Sequence, residues 1–211
     1  DLDEILKLAL VEKPNRVVIT GDLIDKLAWL PQVCERLTTF AKQIPDGVDF
    51  ILGNHEYHHD VNKVLDELKH NTPMNILVNS NIQIMGGKQP VYIAGVAYDN
   101  DREKEKREAM IDKALSGIPD YAFVILLAHH PEFFEEAIER KIPLTLSGHT
   151  HGGQIVFMGM PLVPTGTPYT KGRYVEEQSV CYVNNGSGHW FPIRINCPRE
   201  ITVITFFDGV A

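Results

Sequence analysis

The amino-acid sequence predicts an α/β fold in which parallel strands are joined by crossover helices. Three observations carry this. Over the first seventy residues, apolar positions alternate between helical and strand periodicity. Several strands are apolar at consecutive positions, the pattern of strands covered on both faces. After Gly152 the alternation stops, and the chain turns β-rich and loop-rich.

The elements follow in order. Leu2, Ile5, Leu6, Leu8, Ala9 and Leu10 recur at helical spacing between Glu4, Lys7, Glu12 and Lys13, and Pro14 stops that helix. Residues 16–20 form a short β-branched strand. A helix over 31–44 opens with proline in its first turn. A second buried strand covers 48–52. A helix over 60–70 carries Val61, Val64, Leu65 and Leu68 on one face. Short strands follow at 76–78, 82–85 and 91–96, with Gly86-Gly87 as the turn between the last two. The charged run 101–108 reads as a solvated face feeding a helix that ends near Ser116-Gly117. Residues 121–128 are expected as a fully buried strand, 131–140 as a helix and 144–147 as a strand. Beyond Gly152, strands are expected at 154–157, 179–183 and 201–207, with Pro161, Pro164 and Pro168 marking a long irregular loop. No repeat or linker divides residues 1–211, so a single domain is expected.

Composition narrows the function classes. Apolar residues make up 44% of the 211 and charged residues 23%, which is ordinary for a globular protein. The longest apolar run, over 121–128, falls far short of the roughly 20 residues of a membrane helix. The net charge of −8 makes bulk electrostatic binding to nucleic acid or anionic lipid a poor expectation. Divalent ions would reverse that locally. Cys34, Cys181 and Cys197 are too few and too scattered for a disulfide framework or a zinc pair, so buried reduced thiols are expected. They fit a cytosol-like compartment.

The informative feature is where His, Asp and Asn fall. The strand over 16–20 ends in Gly21-Asp22-Leu23-Ile24-Asp25. The strand over 48–52 ends in Gly53-Asn54-His55-Glu56. The strand over 121–128 ends in His129-His130, and that over 144–147 in Gly148-His149-Thr150-His151. Four strands thus deliver metal-competent side chains just past their carboxyl ends, where open α/β sheets place ligand sites. Glycine before Asp22, Asn54 and His149 lets the loops turn sharply and crowd around a small ion.

These motifs, in this order, resemble the signature of the calcineurin-like metallophosphoesterases. Gly152-Gly153-Gln154, Tyr169-Thr170-Lys171-Gly172, Gly186-Ser187-Gly188 and Cys197-Pro198-Arg199-Glu200-Ile201 resemble one bacterial branch, the YkuE- and YaeI-like phosphodiesterases. The resemblance implies a four-layer α/β/β/α sandwich of two mixed sheets. It implies two metal ions ~3.5–4 Å apart at the strand ends. Asp22 would bridge them. Asn54, His129 and His149 would complete one site, and His151 would serve the other. This donor set suits Mn²⁺, Fe²⁺, Zn²⁺ or Co²⁺ better than Ca²⁺. His55 would face the substrate as a catalytic group, with Asp25 orienting it, and a metal-bound hydroxide would attack phosphorus.

The family signature opens with Asp-x-His at the end of a first strand, and this sequence contains no copy. Residues 2–10 are already the helix that follows. The expectation is therefore a domain lacking that strand, with one firmly held metal and a second site left with Asp22 and His151. An empty sheet position would favour homodimerisation or strand exchange. The leading function is a metal-dependent phosphoesterase, acting on diesters rather than monoesters, with a small-molecule or lipid-like substrate. The alternatives are a pyrophosphatase of a nucleotide-linked lipid or sugar, and a non-catalytic metal-binding protein. Location is cytoplasmic or membrane-associated. His130, Lys171, Arg173 and Arg194 are candidate substrate contacts, with packing or solvated charge as the competing readings. Glu56 is either a support for the ligands or a surface residue. His58 and His59 are expected to face solvent, His70 to be a cation near a helix end, and His189-Trp190-Phe191 to form a substrate rim or a core anchor.

Overall fold

The computed structural model describes residues 2–84, 89–98, 103–189 and 191–207. The expected turn at Gly86-Gly87, Met85, Asp101, Arg102 and Trp190 lie outside the described residues. The first half runs α1 (Leu2–Val11), β1 (Val17–Ile19), α2 (Leu30–Ala41), β2 (Val48–Phe50), α3 (Asn54–Tyr57), α4 (Val61–Asn71) and β3 (Asn75–Ile76). Pro31 sits in the first turn of α2, where its missing N–H breaks no helical bond. The Asp60 carboxylate caps α4, accepting from the N–H groups of Asn62 and Lys63 at 3.2 Å each.

The second half runs β4 (Ser80–Ile84), β5 (Val91–Gly95), α5 (Lys104–Leu115), β6 (Phe123–Leu127), α6 (Phe133–Glu139), β7 (Leu144–Ser147), β8 (Val156–Phe157), β9 (Met160–Pro161), β10 (Gly172–Glu176) and β11 (Ser179–Val183). β1, β2 and β3 form a parallel sheet. The larger sheet has the order β10-β11-β7-β6-β5-β4 and is mixed. Its four central strands are parallel, and β10 and β4 close its edges antiparallel.

Side-chain parity stacks these elements into four layers. Val17, Ile19, Phe50 and Leu52 turn outward to Leu37, Phe40, Val64 and Leu68 of α2 and α4. Val18, Ile51 and Leu77 turn inward and meet Ile93, Ile125, Leu127 and Leu146 of the larger sheet. Val124, Leu126 and Ala128 face the other way, onto Ile111, Ala114, Phe134 and Ala137 of α5 and α6. This is the expected α/β/β/α sandwich. Each large aliphatic side chain buried fully between layers contributes about 1.5–3 kcal/mol.

Four local expectations differ. Tyr121 is 70% exposed, because the chain is still turning there and β6 starts only at Phe123. The charged run on α5 is not simply solvated: Arg107 reaches the fully buried Glu136 of α6 at 2.6 Å. The proline-marked loop contains a short strand, β9, that pairs with β8. Residues 201–207 form no regular element and join no ladder among the described residues. They are held at one end by side chains instead: Tyr182 to Glu200, and Asn184 to the Thr202 hydroxyl at 2.8 Å. β1 pairs only with β2, so its other edge has no ladder partner among the described residues either. The three thiols are free and buried.

Candidate active site

Four turns meet at the carboxyl ends of β1, β2, β6 and β7. They bring Asp22, Asn54 and His55, His129 and His130, and His149 and His151 to one place. Two turns come from each sheet, so the site straddles the seam between them. Gly21 (φ 98°) and Gly53 make the close approach possible. A Cβ on Gly21 would lie 2.6 Å from His129 Nδ1, and one on Gly53 would overlap Asp22. Asp22, His149 and His151 are left-handed, at φ 56°, 66° and 51°. Such strain persists only where surrounding bonds over-determine it.

The main restraint is Glu56, which is fully buried. Its Oε2 accepts from the backbone N–H of Gly53 at 2.7 Å and of Asp22 at 2.9 Å. Its Oε1 accepts from Leu23 at 2.7 Å and Ile24 at 3.1 Å. One carboxylate thus ties the turn after β1 to the turn after β2. Burial, and then the neighbouring Asp22 charge, push its pKa up.

Four candidate ligand atoms converge. His129 Nε2 lies 3.0 Å from Asn54 Oδ1, 3.2 Å from His149 Nδ1 and 3.3 Å from Asp22 Oδ2. His149 Nδ1 is 2.9 Å from the same Asn54 oxygen. His129 Nδ1 is 2.7 Å from the Thr20 carbonyl, which fixes the proton there and leaves Nε2 as a lone pair facing the other three atoms. Four acceptor atoms crowded together repel unless a positive charge sits among them. Four of their separations, at 2.9–3.3 Å, match the ~3.0–3.4 Å ligand–ligand edges around an ion bound at ~2.1 Å, with Asp22 entering through His129. The donor set therefore fits a first-row divalent cation.

The electrostatics agree. Burial alone would raise the Asp22 pKa, but the hydrogen bond and charge of His129, together with the His55 N–H at 2.9 Å, hold it well below the usual carboxylate range. Burial alone would lower His129, and the Asp22 hydrogen bond and charge carry it above its usual value. The pair thus favours positive charge between them. Burial and the neighbouring imidazoles push His149 down to about 3, and burial and the Arg194 charge push His151 down to about 4. Both rings are neutral lone-pair donors at physiological pH.

A cavity of about 210 Å³ opens on this cluster. Asp22, Asn54, His55, His149, Thr150 and His151 form its polar wall, and Val163, Pro164 and Phe191 its apolar wall. His55 Nδ1 is 3.2 Å from the mostly exposed Asp25 carboxylate. His59 is half-buried, not solvent-facing, with Nε2 3.1 Å from the Asp25 carbonyl, whereas His58 is exposed. His130 stacks on His149 at 3.7 Å, and its buried Nε2 has no hydrogen-bond partner among the described residues. Its ligand atom lies close enough to those of His129 and His149 to complete a three-histidine group.

Of the three expected cationic contacts, only Arg194 reaches the edge of the site. Lys171 and Arg173 are not among the cavity-lining residues described, and Arg173 is exposed on β10. The Arg194 guanidinium is occupied by the carbonyls of Asn185 at 2.9 Å and Gly188 at 2.6 Å, and stands 3.4 Å from His151 Nδ1. Glu56, left open by the sequence between a support for the ligands and a surface residue, is buried, and the site also uses Tyr98 and Gln154, to which sequence reasoning gave no role. The Glu56 clamp is legible only as Gly-x-x-Glu at a helix start, where the fourth residue reaches back to the first N–H. Tyr98, whose ring lies 5.0 Å from His130, follows β5 at the same sheet edge as the ligands. Gln154, fully buried beside the cavity, donates to the carbonyls of Phe191 at 3.0 Å and Ile193 at 3.1 Å.

A fold with two sheets between helices carries, at its strand ends, a cluster of one carboxylate, one amide and imidazoles suited to a divalent metal. The calcineurin-like phosphoesterase family profile matches residues 1–153, which include every candidate ligand. The chain belongs to that family. It is 36% identical over 211 residues to the uncharacterized metallophosphoesterase Cj0846 of Campylobacter jejuni, covering 96% of this chain and 53% of that protein. It is 31% identical over 222 residues to the uncharacterized metallophosphoesterase YkuE of Bacillus subtilis, covering 97% of this chain and 72% of that one. A transmembrane protein with metallophosphoesterase domain from Danio rerio is 31% identical, covering 96% of this chain and 48% of its own length. The chain thus spans about half the length of the first relatives it matches, 53% in each of two.

Proposed function

We propose that this chain hydrolyses phosphate esters, diesters in preference to monoesters, with a divalent transition metal held by Asp22, Asn54, His129 and His149. The observation that carries it is the convergence of four lone-pair atoms, one from each of these side chains, 2.9–3.3 Å from their neighbours on the floor of an open cavity. When bound, the cation would supply Lewis acidity and bring the pKa of a water toward neutrality. The protein's own part is positioning. Thr20 fixes the His129 tautomer, and Glu56 fixes the Asp22 and Asn54 turns. His55 faces the cavity beside Asp22, and Asp25 orients it to stabilise phosphoryl oxygens or to protonate the leaving oxygen. Mn²⁺, Fe²⁺, Zn²⁺ and Co²⁺ all suit the donors.

We read one site as strong and the second as weak. His151 has the Arg194 cation 3.4 Å from its Nδ1, which opposes a further positive ion there. The apolar wall of Val163, Pro164 and Phe191 keeps the pyrophosphatase reading, with an apolar or nucleotide-linked leaving group, as the second choice. Among the described residues no helix is long and apolar enough to cross a membrane. A membrane-attached setting is favoured by the zebrafish relative, a transmembrane protein with metallophosphoesterase domain. The test is hydrolysis of bis- against mono-nitrophenyl phosphate with Mn²⁺, alongside metal analysis. Turnover of the diester with one tightly held ion is expected. Silence on both substrates would overturn the enzyme reading, with vanadate binding then marking a non-catalytic metal protein. Two tightly bound ions would overturn the single-site reading.

A further inference from the structure

We propose that the β8–β9 hairpin is a membrane-docking tip, inserting its apolar end at the interface of a lipid bilayer beside the mouth of the cavity. Phe157, Met158, Met160 and Leu162 are 61%, 83%, 66% and 62% exposed, an unusual concentration of large apolar side chains on one short hairpin. The turn itself is the more telling feature. Met158 and Gly159 both have positive φ, 49° and 83°, the geometry of a tight two-residue hairpin turn. That geometry favours Asn, Asp or Gly at the first position, yet a methionine stands there. The tip is clear of the rest of the protein: a Cβ on Gly159 would meet nothing within 4 Å. The sequence thus accepts backbone strain in order to place an apolar group at the outermost point.

The patch continues into a neighbouring segment. Ile195 bridges Ile155 at the base of the hairpin, and the Asn196 amide donates to the Val156 carbonyl at 3.0 Å. Ile193 and Ile195 are 53% and 48% exposed. Both segments run directly into the cavity wall, through Val163 and Pro164 on one side and Phe191 on the other. Gln154 ties them together through the Phe191 and Ile193 carbonyls.

Charge and size decide the occupant. No charged residue falls between Gly152 and Thr170, and no acidic residue between Arg140 and Val175, although the chain as a whole carries −8. Lys171 and Arg173 follow at once. Thr170 is on the same side as the cavity, since its carbonyl accepts from Thr150 of the wall. An apolar tip followed by cations and free of acids suits an anionic headgroup layer over acyl chains. A stable protein–protein contact buries about 800 Å² per partner, more than a hairpin tip of a few side chains offers. Interfacial partition needs only those few side chains. The substrate consequence, an amphiphilic phosphate ester presented at the bilayer surface, rests on the proposed phosphoesterase activity; the docking does not.

The test is co-sedimentation of the full chain with vesicles of phosphatidylcholine and phosphatidylglycerol, with and without Mn²⁺. The unaltered chain should sediment with the vesicles, and Met158→Asp should weaken partition by about tenfold or more. Aspartate accepts positive φ better than methionine does, so this variant should melt no lower than the parent. Hydrolysis of a soluble nitrophenyl diester should be unchanged in the same variant. Failure of the unaltered chain to bind vesicles overturns the proposal, as does equal binding by Met158→Asp. Self-association abolished by Met158→Asp, without vesicle binding, assigns the patch to a protein interface and also overturns it. Vesicle binding without turnover leaves the docking intact and rejects only the catalytic reading.

Discussion

The Glu56 clamp gives the most direct test of how the site is built. In Glu56→Gln the side chain keeps its length, but one oxygen becomes an N–H₂ donor. Each carboxylate oxygen accepts two backbone N–H groups, Oε1 from Leu23 and Ile24 and Oε2 from Asp22 and Gly53. Either orientation of the amide therefore orphans two buried donors and turns a third against them. At about 1–3 kcal/mol per orphaned group the cost is about 2–6 kcal/mol. Removing a buried charge that faces Asp22 returns part of this, so a net loss of about 2–4 kcal/mol is expected. For a protein of this size that is a fall in melting temperature of roughly 4–16 °C. Mn²⁺ affinity should fall too, because the Asp22 and Asn54 turns lose their common anchor. Thermal unfolding by circular dichroism and titration calorimetry with Mn²⁺ read the two effects. A melting temperature within about 2 °C of the parent, with unchanged Mn²⁺ affinity, would refute the reasoning.

Three further outcomes follow from the same geometry. His55→Ala should lower kcat by about 10²–10⁴ while leaving the melting temperature near the parent's, and Asp25→Asn should lose less. An unchanged rate for His55→Ala would remove it from the chemistry. Gly53→Ala places a Cβ on Asp22 and should abolish tight Mn²⁺ binding, so parental affinity in a metal titration would contradict the packing described. Burial pushes the Cys181 thiol up to about 12, so at pH 8 only about one thiol in ten thousand is ionised. Native protein should leave Cys181 unlabelled by iodoacetamide and label it after unfolding in urea; prompt native labelling, located by mass spectrometry, would count against the burial.

The gathering of Asp22, Asn54, His129 and His149 was legible because each follows a strand whose apolar run announces it. Sheet geometry does the rest, since parallel strands end on the same side. What stayed hidden acts through the backbone or across long separations. Glu56 binds N–H groups, which every residue has, so no partner in the sequence marks it. Arg107 finds Glu136 on another helix, and a charged run alone does not reveal that pairing. Arg194 looks free in the sequence and is taken by carbonyls that only the folded loops bring near. Residues 201–207 carry a strand pattern, but a pattern does not supply a neighbour to pair with. β9 was missed for the converse reason: proline in an edge strand of two residues reads as a loop.

The position of the cluster at the seam has a consequence for stability. Asp22 and Asn54 hang from the three-stranded sheet, and His129 and His149 from the six-stranded one. An ion held by all four would be a cross-link between layers that otherwise meet through side-chain packing and polar contacts such as His129 to the Thr20 carbonyl. Loading and layer docking then become a single equilibrium, and an ion at a hundred times its dissociation constant adds about 2.7 kcal/mol to it. A chelator would act on this protein as a mild denaturant directed at one plane of the molecule.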